Sequence, residues 1–173
     1  MLFNPLIKSS FCLKEYELWN YLHLSTAEYK SLLKLRNHPE VIKWSFSGNI
    51  TLQQHLNFLS DLKKSPNKAY WLVKNKEGII LGCVNLSRIN WVKLEAYLGL
   101  FKNFYNPSKR IGQVLLKIIL DISADLLGLK KVSLEVFEQN LKAINLYKRF
   151  GFKIEDFYYT NNRKVLIMSK NLK

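Results

Sequence analysis

The sequence predicts an α/β domain of the α+β type, with a central mixed, mostly antiparallel sheet and about four helices. Residues 131–153 form the clearest block: an alternating strand, a helix start at Asn140, helical spacing, and Gly151 before another extended run. The rest of the chain alternates strand-like and helix-like segments and ends in a hairpin pattern. With 173 residues and 48% hydrophobic content the chain can bury one core, so we expect one domain over residues 1–173.

The first predicted elements are a strand and a helix. Residues 11–22 are mostly apolar and aromatic, and we predict them as the first strand. Ser25 and Glu28 have the spacing of a capping box, which predicts a helix from there to about residue 36. Pro39 is expected to stop this helix.

A second capping box, Thr51 with Gln54, predicts a helix to about residue 64. His55 lies on the apolar side of that helix, where a histidine is more often a core residue than a catalytic one. The elements that follow are predicted to be a hairpin at 69–73 and 79–88, a strand at 96–101, a long helix at 109–127, the block at 131–153, and a hairpin at 156–160 and 164–169.

The composition is strongly basic, since 27 lysines and arginines stand against 13 aspartates and glutamates, a formal net charge of +14. Such a surface attracts anions such as phosphates, nucleotides, nucleic acids or acidic membranes; the alternative is a solvated surface without a specific role. Cys12 and Cys83 have no paired spacing, which predicts reduced core thiols and no metal site. We find no membrane-span or signal-peptide pattern and therefore expect a cytoplasmic protein.

The block at 131–153 contains the pattern V-x-x-x-N-x-x-A-x-x-L-Y-x-x-x-G-F. This pattern resembles the second half of the acetyl-CoA site in the Gcn5-related N-acetyltransferases (GNAT). The order of predicted elements is also similar to that fold, whose sheet is splayed between its fourth and fifth strands. The resemblance implies an N-acetyltransferase with acetyl-CoA as co-substrate. The matching positions are Val136, Asn140, Ala143, Leu146, Tyr147, Gly151 and Phe152.

The resemblance also implies where the cofactor binds. The family's splayed strand corresponds to AYLGLF at 96–101, whose backbone would pair with the pantetheine arm, with Gly99 permitting close approach. The family's pyrophosphate loop, roughly Arg/Gln-x-x-Gly-x-Gly, corresponds to 107–112, where only Gly112 fits and Arg110 replaces the first glycine. The implied cofactor contacts are Leu98, Gly99, Leu100, Lys109, Arg110, Ile111, Gly112, Gln113, Val114, Asn140 and Ala143.

Two residues are candidates for catalysis. Tyr147 matches the family tyrosine beside the coenzyme sulfur, and a phenol there can protonate a departing thiolate. A tyrosine at this helical spacing is otherwise a packing residue. Glu135 is a carboxylate in an otherwise apolar strand, which makes it either a candidate base for the acceptor amine or one half of a structural ion pair.

The segments at 35–39 (LRNHP), 51–73 and 85–90 (NLSRIN) resemble the nucleotide-sugar N-acetyltransferases of pseudaminic acid biosynthesis. Those enzymes acetylate the 4-amino group of a UDP-linked 4-amino-4,6-dideoxy-N-acetylhexosamine, on the path to a sugar that decorates flagellin. Cationic side chains suit a diphosphate, while amide and hydroxyl side chains suit sugar hydroxyls or uracil. The candidate substrate contacts are Arg36, His55, Asn85, Ser87 and Arg88.

Two other functions stay open. Segments like RNHP also occur in ribosomal-protein N-terminal acetyltransferases, and the charge alone would suit a non-enzymatic module that binds RNA or DNA. The pattern at 140–152 and the lack of an RNP-type or helix-turn-helix signature favour the enzyme. We therefore expect a small-molecule nucleotide-sugar substrate, no nucleic-acid or membrane partner, and a monomer or homodimer.

Overall fold

The computed structural model describes residues 4–172, and within that range eight strands form one sheet in the order β1-β2-β3-β4-β5-β6-β8-β7. The strands are β1 (Phe11–Leu13), β2 (Tyr16–Asn20), β3 (Ala69–Asn75), β4 (Ile80–Asn90), β5 (Glu95–Lys102), β6 (Lys131–Phe137), β7 (Lys153–Thr160) and β8 (Arg163–Asn171). The α-helices are α1 (Thr26–Arg36), α2 (Pro39–Ile42), α3 (Leu52–Lys64), α4 (Ile111–Asp121) and α5 (Leu141–Arg149). All neighbouring strands are antiparallel except β5 and β6, so the predicted mixed, mostly antiparallel sheet is confirmed.

The pairing of β5 with β6 is short. It consists of three parallel residue pairs, Glu95 with Lys131, Ala96 with Val132, and Tyr97 with Ser133. Both strands continue for several residues beyond this point, while their outer edges stay paired with β4 and β8. The sheet therefore opens between β5 and β6, which are the fourth and fifth strands of the sequence prediction.

Helices cover both faces of the sheet and bury two apolar clusters. On one face, α4 and α5 contribute Leu115, Ile119 and Ile144 to the larger cluster. On the other face, Leu32 of α1 and Leu62 of α3 belong to the smaller cluster. These helices are amphipathic, and their apolar sides pack on the sheet.

Two predicted boundaries are wrong, those of the first strand and of the long helix. The predicted first strand at 11–22 is a hairpin of β1 and β2, followed by a short 3₁₀ turn at Tyr21–His23. α1 ends at Arg36, as predicted, and Pro39 then begins α2, because proline suits the first turn of a helix and His38 Nδ1 accepts a hydrogen bond from the Glu40 amide. The long helix predicted at 109–127 starts at Ile111, and a π-helical turn, Ile122–Leu126, replaces its last part.

Arg110 precedes α4 in a left-handed conformation, with φ 63° and ψ 10°, and its side chain makes no capping hydrogen bond. A residue with a Cβ is strained in this region by about 1–2 kcal/mol, whereas glycine is not. We therefore expect Arg110→Gly to raise the free energy of unfolding by about 0.5–1 kcal/mol after the entropic cost of glycine. Urea denaturation would measure the change.

Lys109→Gly is the matched control, because Lys109 is also exposed and is not among the residues with positive φ. Glycine there only adds freedom to the unfolded chain, so this variant should be less stable than the wild type. A loss of stability in Arg110→Gly equal to that in Lys109→Gly would contradict strain at Arg110.

Candidate functional site

The opening between β5 and β6 forms a cleft of about 540 Å³, which we call the strand cleft. One wall is residues 98–102 of β5 and the other is residues 134–137 of β6. Gly112 at the start of α4 and the side of α5 that carries Ala143 and Tyr147 complete the lining. Two unpaired strand edges that face each other can accept an extended ligand whose amides hydrogen-bond like a third strand.

The α5 helix presents three of the predicted site residues to this cleft. Asn140 caps the helix, since its Oδ1 accepts a hydrogen bond from the Ala143 amide at 3.3 Å. Asn140, Ala143 and Tyr147 all line the strand cleft, as do Leu98, Gly99 and Leu100. The structure thus brings these candidate cofactor residues together.

Tyr147 is 9% exposed, and its ring packs against Phe152 with 5.9 Å between the ring centres. Burial raises the pKa of the Tyr147 hydroxyl to about 12. The hydroxyl is therefore protonated at neutral pH and can act as a proton donor at the wall of the strand cleft.

Fewer of the predicted cofactor-binding residues at the start of α4 line the strand cleft. Of the residues at 109–114, only Gly112 lines the strand cleft. The Ile111 side chain is buried in the core, and the amides of Gln113 and Val114 donate to the Arg110 carbonyl. What α4 offers an anion is its first free amides, at Ile111 and Gly112, together with the helix dipole.

A second cleft of about 730 Å³ lies between α1, α3 and the sheet, and we call it the helix cleft. Its lining is mainly aromatic and polar, with Arg36 as the lining cation and no aspartate or glutamate among the described lining residues. The two clefts adjoin. The residues that line both are Arg36, Ser45, Phe46, Asn85 and Phe101.

Arg36 stands between the two clefts at the end of α1. Its Nη2 donates hydrogen bonds to the Ser45 hydroxyl and, at 2.7 Å, to the Ser47 hydroxyl. Its Nη1 is buried and has no hydrogen-bond partner within residues 4–172. Burial lowers the pKa of the guanidinium from its ordinary value, but an arginine stays charged at neutral pH.

His55 lies in the wall of the helix cleft and is 6% exposed. Its ring contacts Tyr21, Tyr29 and Phe58. Burial lowers the pKa of the imidazole, so His55 is neutral at pH 7. Its Nε2 is buried and has no hydrogen-bond partner in the part of the chain that the structure describes. The side chain is thus both a packing residue and an unused hydrogen-bonding group beside Arg36.

Asn85 closes the junction of the clefts from β4. It pairs with Gly99 of β5, and a Cβ on residue 99 would lie 2.6 Å from Asn85 Oδ1. A side chain at residue 99 would therefore displace the Asn85 amide, and glycine leaves that amide in place at the junction.

The structure brings some of the candidate substrate contacts together but not Arg88. Arg36 and His55 line the helix cleft, whereas Arg88 and Ser87 are not among the residues that line either cleft. Arg88 instead pairs with Glu135, which does line the strand cleft. Of the two roles considered for Glu135, the structure shows the ion pair, with an arginine as the partner.

Residues 43–50 form a strap that borders both clefts. The guanidinium of Arg163 stacks 3.5 Å above the Phe137 ring, lies 5.8 Å from the Trp44 ring, and donates to the Lys43 carbonyl at 3.4 Å. Phe46 packs on Phe137 with 4.8 Å between ring centres. The strap thus connects the α2 end of the clefts to β6 and β8.

Sequence reasoning missed several lining residues. In the helix cleft these are Tyr21, Phe58 and Tyr70; in the strand cleft, Lys102 and Lys142. The aromatic residues have an ordinary core pattern, and only their position beside His55 distinguishes them. The two lysines are among 27 basic residues of the chain, so charge alone does not single them out.

The other predicted properties have mixed outcomes. Cys83 is buried, which raises the pKa of its thiol to about 12, but Cys12 is exposed, so the prediction of two core thiols is wrong for Cys12. The described residues contain no cluster of three or more potential metal ligands. They also contain no helix with the length and hydrophobicity that a membrane span requires.

Comparison with known proteins gives a consistent result. Residues 22–153 match the family described as Acetyltransferase (GNAT) domain. The Campylobacter jejuni protein named Acetyltransferase PseH is 33% identical over 147 residues, which is 83% of this chain and 90% of that protein.

Solved structures with the same fold include two that were determined with ligands. One is a spermidine N-acetyltransferase from Vibrio cholerae in complex with CoA and spermine, with a TM-score of 0.81, 20% identity, and coverage of 92% of this chain and 97% of that one. The other is Campylobacter jejuni PseH in complex with acetyl coenzyme A, with a TM-score of 0.72, 23% identity, and coverage of 91% and 99%.

Proposed function

The chain belongs to the GNAT family of acetyl-CoA-dependent N-acetyltransferases, and we propose that its acceptor is the amino group of a nucleotide-linked amino sugar. The finer form of the proposal is the 4-amino group of a UDP-linked 4-amino-4,6-dideoxy-N-acetylhexosamine in pseudaminic acid biosynthesis. The 33% identity to Acetyltransferase PseH over most of the chain supports it.

The observation that carries the proposal is the uncompensated charge of Arg36. The guanidinium is half-buried, has no ion pair within residues 4–172, and faces a cleft whose described lining lacks carboxylates. A cation removed from water without a counter-ion is costly, so the site is stabilised by an anion. A diphosphate supplies that anion, and Ser45, Ser47 and Asn85 supply further polar contacts.

The helix cleft also suits the uncharged part of such an acceptor. Aromatic rings such as those of Tyr70 and Phe58 provide flat apolar surface, and Nε2 of neutral His55 provides one hydrogen bond. Sugar rings and uracil combine apolar faces with hydrogen-bonding edges, which is the pattern that ligand sites of this kind recognise. In this proposal Arg36, His55 and Asn85 contact the acceptor, while Ser87 lies two residue pairs further along β4.

The strand cleft fits acetyl-CoA. Residues 98–102 and 134–137 are facing strand edges, and the first amides of α4 lie at one end. Lys109 and Arg110, exposed at that helix start, add positive charge for phosphates. The coenzyme supplies the acetyl group as a thioester.

In the reaction a C–N bond forms, the thioester C–S bond breaks, the amine loses a proton, and the departing sulfur gains one. Tyr147 is the proposed proton donor to sulfur, because its raised pKa keeps the hydroxyl protonated. Glu135 also lines the strand cleft, but Arg88 holds both of its oxygens, so in this proposal the amine proton passes to water.

A polyamine is the second candidate acceptor. The fold likeness to a spermidine acetyltransferase and the presence of Glu40 and Glu135 in the strand cleft favour it. Against it stand the pairing of Glu135 with Arg88 and the unpaired, half-buried cation at Arg36 among the described residues. The third candidate, an N-terminal peptide of a ribosomal protein, has no comparable support from the clefts.

Thiol release from acetyl-CoA tests the proposal with three acceptors at equal concentration: a UDP-4-amino-4,6-dideoxy-N-acetylhexosamine, spermidine, and an N-terminal peptide. We expect the nucleotide sugar to have the highest kcat/KM, because only it offers Arg36 a diphosphate. The same sugar without UDP is the matched control and should be a poor acceptor. A higher kcat/KM for spermidine or the peptide would reject the sugar assignment and leave the acetyltransferase family intact.

A further inference from the structure

Arg88 and Glu135 form a bidentate ion pair. Arg88 Nη1 donates to Glu135 Oε1 at 3.0 Å and Nη2 donates to Oε2 at 2.7 Å, so both carboxylate oxygens are bound. The guanidinium also lies 3.9 Å above the Tyr97 ring. Bidentate pairs of this kind are the stronger class of ion pair and fix the orientation of both side chains.

The backbone of β4 is irregular where it places Arg88. Residue 88 has φ 51°, and the β4–β5 register shifts between Ser87 and Asn90. In a regular strand Arg88 would point to the face opposite Asn85 and Ser87. The irregularity therefore brings a cation to a carboxylate that lies two strands away, on β6.

Glu135 matters because carboxylates are scarce around the clefts. Only Glu40 and Glu135 are acidic among the described residues that line the strand cleft, and none lines the helix cleft. Glu40 is exposed on α2, whereas the Glu135 side chain is 16% exposed. Glu135 is thus the mostly buried carboxylate with which a cationic acceptor in the strand cleft would pair, and it is already paired with Arg88.

We propose that Arg88 determines which charge class of acceptor the enzyme takes. By engaging both oxygens of Glu135, Arg88 prevents a polycationic amine such as a polyamine from binding that carboxylate. An acceptor that carries phosphates does not need the carboxylate for affinity and is not excluded. This inference rests on the proposed acetyl transfer through these clefts, and it assigns Arg88 a positioning role in place of substrate contact.

The test compares four variants with spermidine as the probe: Arg88→Gln, Arg88→Lys, the double variant Arg88→Gln/Glu135→Gln, and Lys93→Gln. Lys93 is the charge control, because it is exposed in the turn after β4 and has no ion pair among the described residues. Each purified enzyme is assayed for thiol release from acetyl-CoA, and the spermidine Kd is measured by calorimetry.

We expect Arg88→Gln to raise kcat/KM for spermidine about 10-fold, mainly through a lower KM and a matching fall in Kd, since an ammonium then pairs with free Glu135. Arg88→Lys keeps a cation beside Glu135 and should stay near the wild type. The double variant should lose the gain, and Lys93→Gln should not show it. The acetyl group moves as before, with one C–N bond formed, one C–S bond broken, and one amine proton released.

Several outcomes would overturn the inference: no gain in Arg88→Gln, a gain that survives in the double variant, or an equal gain in Lys93→Gln. If Arg88→Gln does not fold, Arg88→Leu, which keeps an apolar cover over the Tyr97 ring, takes its place. Failure of both to fold would make the pair structural and reject the specificity role. The nucleotide-sugar assay on the wild type is independent, so a failure there rejects the proposed acceptor without deciding the role of Arg88.

Discussion

Tyr147→Phe is expected to lower kcat by about 10²- to 10⁴-fold, the usual contribution of a general acid. The variant keeps the ring that packs against Phe152 and lines the strand cleft, and it removes only the hydroxyl. That hydroxyl matters as negative charge develops on sulfur, so the Kd for acetyl-CoA should change less than about threefold. Stopped-flow turnover and calorimetry would measure the two effects separately.

The pH profile of the wild type provides a second check on the acid. A phenol is a proton donor below its pKa, and burial raises the pKa of Tyr147 to about 12. The donor is therefore present throughout the range in which the enzyme can be assayed, and kcat should show no loss on the alkaline side below about pH 10.

Tyr159→Phe, which changes an exposed tyrosine of β7, is the matched control for Tyr147→Phe and should leave kcat unchanged. A loss below about threefold in Tyr147→Phe, with chemistry rate-limiting, would exclude this residue as the acid.

Arg36→Ala is expected to lower kcat/KM for the UDP-amino-sugar by about 10- to 150-fold, mainly through KM. Hydrogen bonds to charged groups contribute about 1.5–3 kcal/mol, which corresponds to that range. The effect should decrease for an acceptor that lacks the diphosphate, because the guanidinium then has no anion to bind. Steady-state kinetics with both acceptors would measure the difference.

Two further variants separate charge from the position of the strap at 43–50. Ser47→Ala removes one hydrogen bond to Arg36 and keeps the guanidinium. It should therefore lower kcat/KM for the UDP-amino-sugar much less than Arg36→Ala does. Arg36→Lys keeps the charge but loses the planar guanidinium with its paired N–H donors. Its kcat/KM should therefore lie between those of Ser47→Ala and Arg36→Ala. If Ser47→Ala lowered kcat/KM as much as Arg36→Ala, the role of Arg36 would be to hold the strap and not to bind the acceptor.

The parts of the fold that depend on local chemistry could be predicted from the sequence. Both capping boxes, at Ser25 and Thr51, form with the reciprocal hydrogen bonds that their spacing predicts. The block around α5 is also local, since the cap at Asn140 and the turn at Gly151 lie within a dozen residues. Such elements are determined by residues three or four positions apart.

The parts that were missed depend on strand geometry. The β1–β2 hairpin has a turn at Lys14 with φ 56°, where no glycine or asparagine marks the turn. The contact of Arg88 with Glu135 joins residues 47 positions apart and depends on the irregular register of β4. Alternation alone places Arg88 on the wrong face of its strand, and no residue pattern shows where a strand becomes irregular.

The short parallel pairing of β5 and β6 has a consequence for the behaviour of the protein without its coenzyme. Beyond Tyr97 and Ser133, each strand is an edge inside the molecule, with a row of backbone groups that lacks a neighbouring strand. Free edges of this kind template pairing with other chains and promote aggregation. A coenzyme that fills the gap would join the two half-sheets, and by mass action it would stabilise the fold by about 2.7 kcal/mol at a concentration 100-fold above its Kd. The abundance of intact enzyme in a cell would then follow the supply of acetyl-CoA as well as its own synthesis.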